Sequence, residues 1–185
     1  MTFLDRASEM QHREPTTELE SVLRQYSWAN SIERLDVVVD NDRVLRKAGL
    51  LEEAFLDAWS YRKWGIPSWD DDYCEFWFAH LDRAALLKAG DPLPAGDSFV
   101  VYRGVAGDGI ARRVRGYSWT GDEGTARRFA RLRVENFGLG NPAVYSAVIK
   151  RADVLAYIDA SGKDEKEFLL LPRKLAELRI VEEAR

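Results

Sequence analysis

Residues 164–172 read Asp164-Glu165-Lys166-Glu167-Phe168-Leu169-Leu170-Leu171-Pro172, with two glutamates two residues apart directly ahead of an apolar run that a proline closes. The apolar run predicts a short buried strand. If the strand extends back to Glu165, its period of two places Glu165 and Glu167 on the same face. Two carboxylates on one face repel each other, and such pairs are often arranged for chemistry; a solvated strand end is the plain alternative.

The strongest boundary signal upstream is the turn-rich stretch 90–97, which reads Gly90-Asp91-Pro92-Leu93-Pro94-Ala95-Gly96-Asp97. Glycine and proline at this density interrupt helices and strands. Apolar residues recur at helical spacing before this stretch, and strand-like runs prevail after it. We therefore predict an α+β protein with an N-terminal helical lobe over residues 1–95 and a β-rich core over residues 96–185, packed as one compact unit.

Three segments of the helical lobe carry specific expectations. Residues 1–15 look like a loose polar arm, and residues 31–39 are ambiguous between a strand and a short helix. A longer helix should begin at Ser68 or Asp70 and run to about Lys88. Its expected buried stripe consists of Tyr73, Phe76, Trp77, His80, Leu81, Ala84 and Leu87.

The β-rich core shows alternating and short apolar runs around one helical segment. We expect the helix over Gly121–Leu132, with Thr120 as its N-terminal cap and Glu123 completing a capping box. The expected strands are Ser98–Arg103, Tyr117–Thr120, Ala143–Lys150, Val154–Ile158, Phe168–Leu171 and Leu178–Val181.

The composition is that of a globular protein, with 46% hydrophobic and 31% charged residues among 185. The net charge of −4 argues against broad binding to nucleic acid or to a membrane surface. The single cysteine, Cys74, excludes an intramolecular disulfide and a cysteine zinc cluster. Without an N-terminal apolar segment, the chain is expected to be cytoplasmic, or to reach a target cell by a route that reads no signal peptide.

The sequence lacks the residues that several common kinds of catalytic and metal site require. The chain has two histidines, His12 in the polar arm and His80 on the expected apolar stripe, which disfavours a histidine triad or metal site. Asp70, Asp71 and Asp72 better fit the first turn of a helix, where they complement its dipole, than a calcium loop. We therefore expect no bound metal.

Two other polar features lie beside strands. Arg103 follows an apolar run, where a guanidinium can grip a phosphate or carboxylate bidentately; an ordinary ion pair is the alternative. Ser118-Trp119-Thr120 would place two hydroxyl groups on one face of an extended segment and Trp119 on the other. Tryptophan and threonine are also good strand residues, so this segment alone is weak evidence for a site.

Taken in order, these features resemble the ADP-ribosyltransferase superfamily. The matching elements are a strand ending Tyr102-Arg103-Gly104, then Ser118-Trp119-Thr120 ahead of a helix with Phe129, then Glu165-Lys166-Glu167 before an apolar strand and Pro172. The similar branch carries an Arg, a Ser-x-Ser/Thr and a Glu-x-Glu, as in arginine-modifying bacterial toxins and phage-encoded transferases. The resemblance covers about residues 98–172.

The resemblance implies a split, mostly antiparallel β-core that binds NAD as a co-substrate in a cleft. It implies transfer of the ADP-ribosyl group, a pentosyl transfer, to a macromolecular acceptor with release of nicotinamide. The Glu-x-Glu form points to arginine on a target protein as the acceptor. Alternatives that stay open are an NAD glycohydrolase, a transferase acting on nucleic acid, and an inactive binding module; an antitoxin or immunity protein would be a further partner.

By the same resemblance, Glu167 would be the catalytic glutamate at the nicotinamide ribose, and Glu165 would face the acceptor and help to deprotonate or orient it. Ser118 would position Glu167, and Arg103 would hold the NAD phosphates or ribose. Tyr117 or Trp119 would stack on nicotinamide, although Trp119 replaces the small middle residue that the family often has. The remaining residues expected to line the NAD site are Tyr102, Gly104, Thr120 and Phe129.

An arginine-rich segment surrounds the Ser118-Trp119-Thr120 motif. It has two interpretations, a charge-paired solvated surface or a binding site for diphosphate or an anionic target such as nucleic acid. Its members are Arg112, Arg113, Arg115, Arg127, Arg128, Arg131 and Arg133.

Overall fold

The computed structural model describes residues 2–61, 71–159 and 165–183. The chain divides into two compact units, Met1–Ala89 and Gly90–Arg185. Helices build the first unit, and an antiparallel six-stranded sheet with one long helix builds the second. The predicted α+β class with a helical N-terminal part is confirmed. The division falls at the start of the turn-rich stretch, whereas the sequence placed it after residue 95.

The described part of the first unit contains short helices that each bury one face. None of the helices within the described residues is long and apolar enough to cross a membrane. The helices are α1 (Phe3–Met10), α2 (Glu18–Trp28), α3 (Arg34–Asp40), α4 (Asp42–Lys47), α5 (Leu51–Ser60), α6 (Asp71–His80) and α7 (Arg83–Ala89).

The N-terminal segment is a docked helix, so the expectation of a loose arm was wrong. Thr2 accepts a hydrogen bond from the Asp5 backbone N–H, and the Asp5 carboxylate accepts one from the Thr2 backbone N–H. This reciprocal cap satisfies donors that the first turn leaves open. Phe3 is fully buried and meets the Tyr26 ring edge-on at 4.7 Å between centroids. Ala7 is buried on the same side of α1 because residues four apart share a helix face.

The ambiguous segment 31–39 forms helix α3 rather than a strand. Leu35 and Val38 are buried, and α3 packs against α5. Valine disfavours helices only slightly, so burial of one helical face outweighs its preference for strands.

The predicted helix up to Lys88 is broken into α6 and α7. Asp82 caps the N-terminus of α7, since its carboxylate accepts a hydrogen bond from the Ala85 N–H at 2.8 Å. The proposed starts at Ser68 and Asp70 lie outside the described residues. The predicted stripe was partly wrong: Trp77 and Leu81 are buried, but His80 is exposed and pairs with Asp42 at 3.2 Å. Tyr73, Phe76 and Ala84 are also exposed, whereas Cys74, Phe78 and Leu86 are buried instead.

The second unit is built on one antiparallel sheet with strand order β4-β5-β2-β1-β3-β6. Strand β1 therefore has one group of strands on each side. The bounds are β1 (Ser98–Val105), β2 (Ser118–Thr120), β3 (Ala143–Lys150), β4 (Val154–Ile158), β5 (Glu167–Leu170) and β6 (Arg179–Glu183), with helix α8 (Glu123–Phe137) between β2 and β3.

The two faces of this sheet have different coverings. One, which we call the core face, packs apolar side chains with the segment after β5. The opposite face is called the Glu167 face. Helix α8 lies against the Glu167 face, where it contacts β1, β2 and β3. The core face is formed by Val101, Trp119, Ala147, Ile149, Val154, Tyr157, Phe168, Leu170 and Leu175, with Leu93, Phe99, Tyr145 and Leu178 at its margin.

Helix α8 sits unusually close to β1 because small residues line the contact. A Cβ atom added at Gly104 would lie 1.9 Å from the Ala126 carbonyl oxygen and 2.6 Å from the Ala130 backbone nitrogen. Ala126 and Ala130 are both buried and lie one turn apart. The absence of a side chain at position 104 therefore sets the height of α8 over the sheet.

The start of α8 corrects the expectation that Thr120 caps the helix with Glu123. Asp122 is the N-cap, and its carboxylate accepts the Thr125 N–H at 2.6 Å. Thr120 lies before the N-cap and fixes the turn into the helix, because its hydroxyl accepts a hydrogen bond from the Asp122 N–H at 3.0 Å. The helix ends at Phe137 and is capped by Gly138, whose φ of 64° is the left-handed conformation typical of helix C-termini.

Replacing Gly104 with alanine should lower the free energy of unfolding by about 2–4 kcal/mol, because backbone atoms of α8 must move to admit the methyl group. Gly140→Ala is the matched control, since no heavy atom lies within 4 Å of a Cβ added there; its effect should stay within about 0.5 kcal/mol. Urea unfolding followed by circular dichroism measures both. Equal stability of the two variants would contradict the close packing of α8.

The N-cap of α8 should make part of the stability depend on acid pH. Hydrogen bonds from Thr125 lower the pKa of Asp122 below its ordinary 3.8. A lowered carboxyl pKa contributes stability above its unfolded value, and that stability is lost as pH falls through the folded pKa. Asp122→Ala should cost about 1 kcal/mol at pH 7, and its difference from the parent should shrink below pH 4. Asp122→Asn keeps the capping hydrogen bond but has no carboxyl group, so the stability of this variant should lack the loss at acid pH. If the stability difference between Asp122→Ala and the parent did not change with pH, the capping role of the Asp122 carboxylate would be contradicted.

Candidate active site

A row of side chains crosses the sheet on the Glu167 face. The strand register pairs Tyr102 with both Ser146 and Thr120, and pairs Glu167 with both Thr120 and Ile158. Residues directly opposite each other in antiparallel strands project to the same face. Glu167 is therefore flanked by Thr120 and Ile158, with Tyr102 next beyond Thr120. The Glu167 side chain is half-buried, so it is partly sheltered from water and still open to a ligand.

The turn between the two glutamates is held by the neighbouring strand. The Thr120 hydroxyl donates to the Glu165 carbonyl oxygen at 2.5 Å, and the Gly121 N–H donates to the Lys166 carbonyl oxygen at 2.9 Å. Lys166 has a φ of 45°, which is uncommon for a residue with a side chain. Such a conformation costs about 1–3 kcal/mol and persists where the surroundings fix it.

This turn changes the expected relation between the two carboxylates. Strand β5 begins at Glu167, so Glu165 lies before the regular strand. The left-handed Lys166 between them interrupts the alternation that would have placed both on one face. The directions of Glu165 and Glu167 are therefore set by the turn and its contacts with β2.

Glu165 is accompanied by an arginine from α8. The Arg128 Nη2 atom lies 3.8 Å from the Glu165 Oε1 atom, and both side chains are partly exposed. Lys166 and Arg128 also lower the pKa of Asp122, in addition to the larger effect of its Thr125 hydrogen bonds. The guanidinium of Arg128 lies 5.5 Å from the ring centroid of half-buried Phe129. The start of α8 and the Glu-x-Glu turn thus form one charged cluster.

Arg103 projects from the core face, and not from the face that carries Glu167. It shares its side of β1 with Val101, and its register partner on β3 is Tyr145. Its Nη1 atom donates to the Ser118 carbonyl oxygen at 2.5 Å. A Cβ at Gly116 would come within 2.4 Å of the guanidinium carbon, so the group packs on the backbone that leads into β2. The predicted grip of Arg103 on NAD phosphates receives no support from this orientation.

Trp119 is a core residue in this structure. It is 1% exposed, lies opposite Phe168, and donates its indole N–H to the Gly116 carbonyl oxygen at 2.9 Å. Tyr117 is buried too, at 5% exposure. Neither ring offers an open face on which nicotinamide could stack, which corrects that expectation for Trp119 and Tyr117.

The remaining predicted residues fall close to the row on the Glu167 face. Ser118 shares the face of Thr120 but is paired with Leu169, so Thr120 is the residue directly opposite Glu167. The predicted role of Ser118 in positioning Glu167 stays a prediction, and Thr120 is a second neighbour of Glu167 on the same face. Gly104 lies beneath α8, where its lack of a side chain serves packing.

Much of the arginine-rich segment is engaged within the second unit, which favours its structural interpretation. Burial, and secondly the charge of Arg113, lower the pKa of Arg133. The contacts are Arg112 to the Tyr145 hydroxyl at 3.1 Å, Arg115 to the Leu175 carbonyl at 2.6 Å and Arg127 to Glu123 at 2.6 Å.

No described group of three or more His, Cys, Asp or Glu residues is arranged to hold a metal ion. No family model matches the chain, and comparisons with curated proteins and with solved structures likewise found no match. The sequence placed Arg128 in the arginine-rich segment but did not predict its position beside Glu165, and it did not predict Ile158 beside Glu167. A helical arginine after the Ser-x-Thr motif was the available signal for Arg128.

Thr120→Val should lower the free energy of unfolding by about 1–3 kcal/mol, because it leaves the Glu165 carbonyl and the Asp122 N–H without their shared partner. Thr120→Ser retains the hydroxyl and should recover most of that loss. Chemical denaturation of the three proteins measures the difference. If the valine variant matched the parent, the hydroxyl would not be holding the turn.

Proposed function

We propose that the chain is an NAD-dependent mono-ADP-ribosyltransferase that transfers ADP-ribose to arginine on a macromolecular acceptor, a protein, and releases nicotinamide. The observation that carries the proposal is the direct link between two motif segments. Thr120 of Ser118-Trp119-Thr120 lies opposite Glu167 and hydrogen-bonds the carbonyl of Glu165. Two segments 45 residues apart are thereby joined beside the residues that carry the two carboxylates.

Glu167 has the environment that the sugar chemistry needs. Cleavage of the bond between nicotinamide and ribose develops positive charge on the ribose, and a fixed carboxylate stabilises that charge as it appears. Glu167 is half-buried and begins a strand whose neighbours hold its backbone. A carboxylate on such a rigid element loses little free energy in reorganising during the reaction.

Glu165 has a different environment, which suits it to the acceptor. A guanidinium is protonated at neutral pH and must lose a proton to become a nucleophile. Glu165 is partly exposed and already has the Arg128 guanidinium 3.8 Å away. A carboxylate that attracts one guanidinium from the solvent side can attract that of an acceptor.

The residues on the Glu167 face fit the ribose end of NAD. Tyr102 and Ser118 carry hydroxyl groups on the same face as Glu167, whereas the Thr120 hydroxyl already bonds the Glu165 carbonyl and the Asp122 N–H. Arg103 and Trp119 do not join this set, since both project to the core face. In the proposal Arg103 is a positioning residue that holds the Ser118 backbone, and NAD would contact other residues.

The proposal includes action inside a cell, either that of the producer or a target cell. One cysteine in 185 residues suits a reducing compartment but does not distinguish these two cells.

The test uses the full chain, NAD labelled in the adenylate part, an arginine-rich protein acceptor, and separate assays of label transfer and nicotinamide release. Glu167→Gln should lower kcat/KM for both by about 10²–10³, since it removes the charge at the ribose. Glu165→Gln should abolish transfer while part of the NAD hydrolysis survives. Glu177→Gln is the control, because Glu177 is 84% exposed and pairs with Arg179.

The outcomes separate the alternatives. Equal loss of transfer and hydrolysis in Glu165→Gln would contradict the acceptor role. Nicotinamide release without labelled acceptor would indicate a glycohydrolase, and nuclease-sensitive label would indicate a nucleic-acid acceptor. Absence of nicotinamide release from the parent protein would contradict the enzyme proposal altogether.

A further inference from the structure

In the proposed function an acceptor arginine comes to Glu165, and Arg128 already lies beside that carboxylate. Its Nη2 atom is 3.8 Å from the Glu165 carboxylate, beyond hydrogen-bond distance, and its side chain is 48% exposed. On the same helix, Arg127 makes a close contact with Glu123 at 2.6 Å. A partly exposed and loose ion pair contributes little to stability, so Arg128 can leave Glu165 at small cost.

The backbone that carries Arg128 is nevertheless fixed. Contact of Ala126 and Ala130 with Gly104 sets the position of α8 over β1. Helical side chains lean towards the N-terminus of their helix, and α8 starts directly after β2, beside the Glu-x-Glu turn. A partly exposed side chain on a fixed backbone thus stays within reach of Glu165.

We propose that Arg128 is a self-modification site, an inference that rests on the proposed transferase function. A guanidinium nitrogen of Arg128 forms a bond to C1′ of the nicotinamide ribose as the bond from C1′ to nicotinamide breaks. Nicotinamide leaves with the bonding electron pair, and Glu165 accepts the proton that the guanidinium nitrogen releases. The products are ADP-ribosylated Arg128, nicotinamide and one proton.

This placement also predicts competition between Arg128 and an external acceptor. Both guanidinium groups need the Glu165 carboxylate, so an acceptor must displace Arg128 before it reacts. Once modified, Arg128 would carry a bulky diphosphate next to Glu165 and would hinder later transfer. Self-modification would therefore limit the activity of a molecule that meets no acceptor.

The test incubates the full-length protein with labelled NAD alone and maps the label by peptide mass spectrometry. Label is expected on Arg128, with a rate per molecule that is independent of protein concentration because the transfer is intramolecular. Arg128→Lys should remove most of the label. Arg179→Lys is the matched control: Arg179 is more exposed, at 80%, so labelling governed by exposure would fall on it instead.

A binding measurement without NAD provides a second readout. If Arg128 occupies the acceptor position, Arg128→Ala should bind agmatine, a small guanidine, about two- to fivefold more tightly by calorimetry, since the competing ion pair is gone. Adding Glu165→Gln to that variant should abolish the gain. Unchanged agmatine affinity would overturn the placement, whatever the enzyme does with NAD.

Failure of this inference can be told from failure of the proposed function. If the parent releases nicotinamide and labels an external acceptor while its own label lies elsewhere or survives Arg128→Lys, self-modification at Arg128 is overturned and the transferase proposal stands. If the parent releases no nicotinamide, both are overturned. Circular dichroism of each variant checks that its fold is retained.

Discussion

The second unit depends on the pairing of one three-residue strand. Strand β2, Ser118–Thr120, lies between β1 and β5, so it joins the group β5-β4 to the group β1-β3-β6. Three residues provide few backbone hydrogen bonds to the neighbouring strands, so side chains supply further contacts that hold β2 in place. Trp119 buries its ring in the core and bonds the Gly116 carbonyl, while Arg103 bonds the Ser118 carbonyl. A short central strand is thereby fixed in register, and with it the position of Glu167 opposite Thr120.

Alternation along β2 places core side chains on one face of the sheet and side chains of the candidate site on the other. Trp119 and Phe168 face the core, whereas Thr120 and Glu167 face the side where α8 packs. A bulky middle residue in the Ser-x-Thr motif therefore does not obstruct the candidate site, because it points away from it. The same alternation carries Arg103 to the core face, where it donates a hydrogen bond to the Ser118 carbonyl oxygen. The motif residues are thus close in space, but they project to opposite faces of the sheet.

The sequence was informative where periodicity is strong and weak where a contact decides. The long strands and α8 were predicted because their apolar spacing is regular, and residue ends shifted by a few positions. The N-terminal helix was missed although Thr2 and Asp5 form a capping box, because polar residues around it concealed Phe3, Ala7 and Met10. Lys166 carries no sign of its left-handed conformation, since the Thr120 and Gly121 contacts that stabilise it come from another strand. Arg128 belonged to an arginine-rich segment with two open interpretations, and only the position of α8 places it beside Glu165.

The candidate site combines rigidity and strain at one point, and this combination gives the two glutamates unequal properties. Glu167 belongs to β5 and is held on both sides by β2 and β4, so its position follows from the sheet. Glu165 lies beyond the left-handed Lys166, outside the strand and next to a loosely held guanidinium. A chain of simple strand geometry would have given two equivalent carboxylates on one face, with strong repulsion and no division of labour. The turn at Lys166 avoids that arrangement, because it leaves Glu167 held within the sheet and Glu165 outside the strand beside Arg128. In the proposed transfer, the first carboxylate would stabilise charge on the ribose and the second would receive the acceptor.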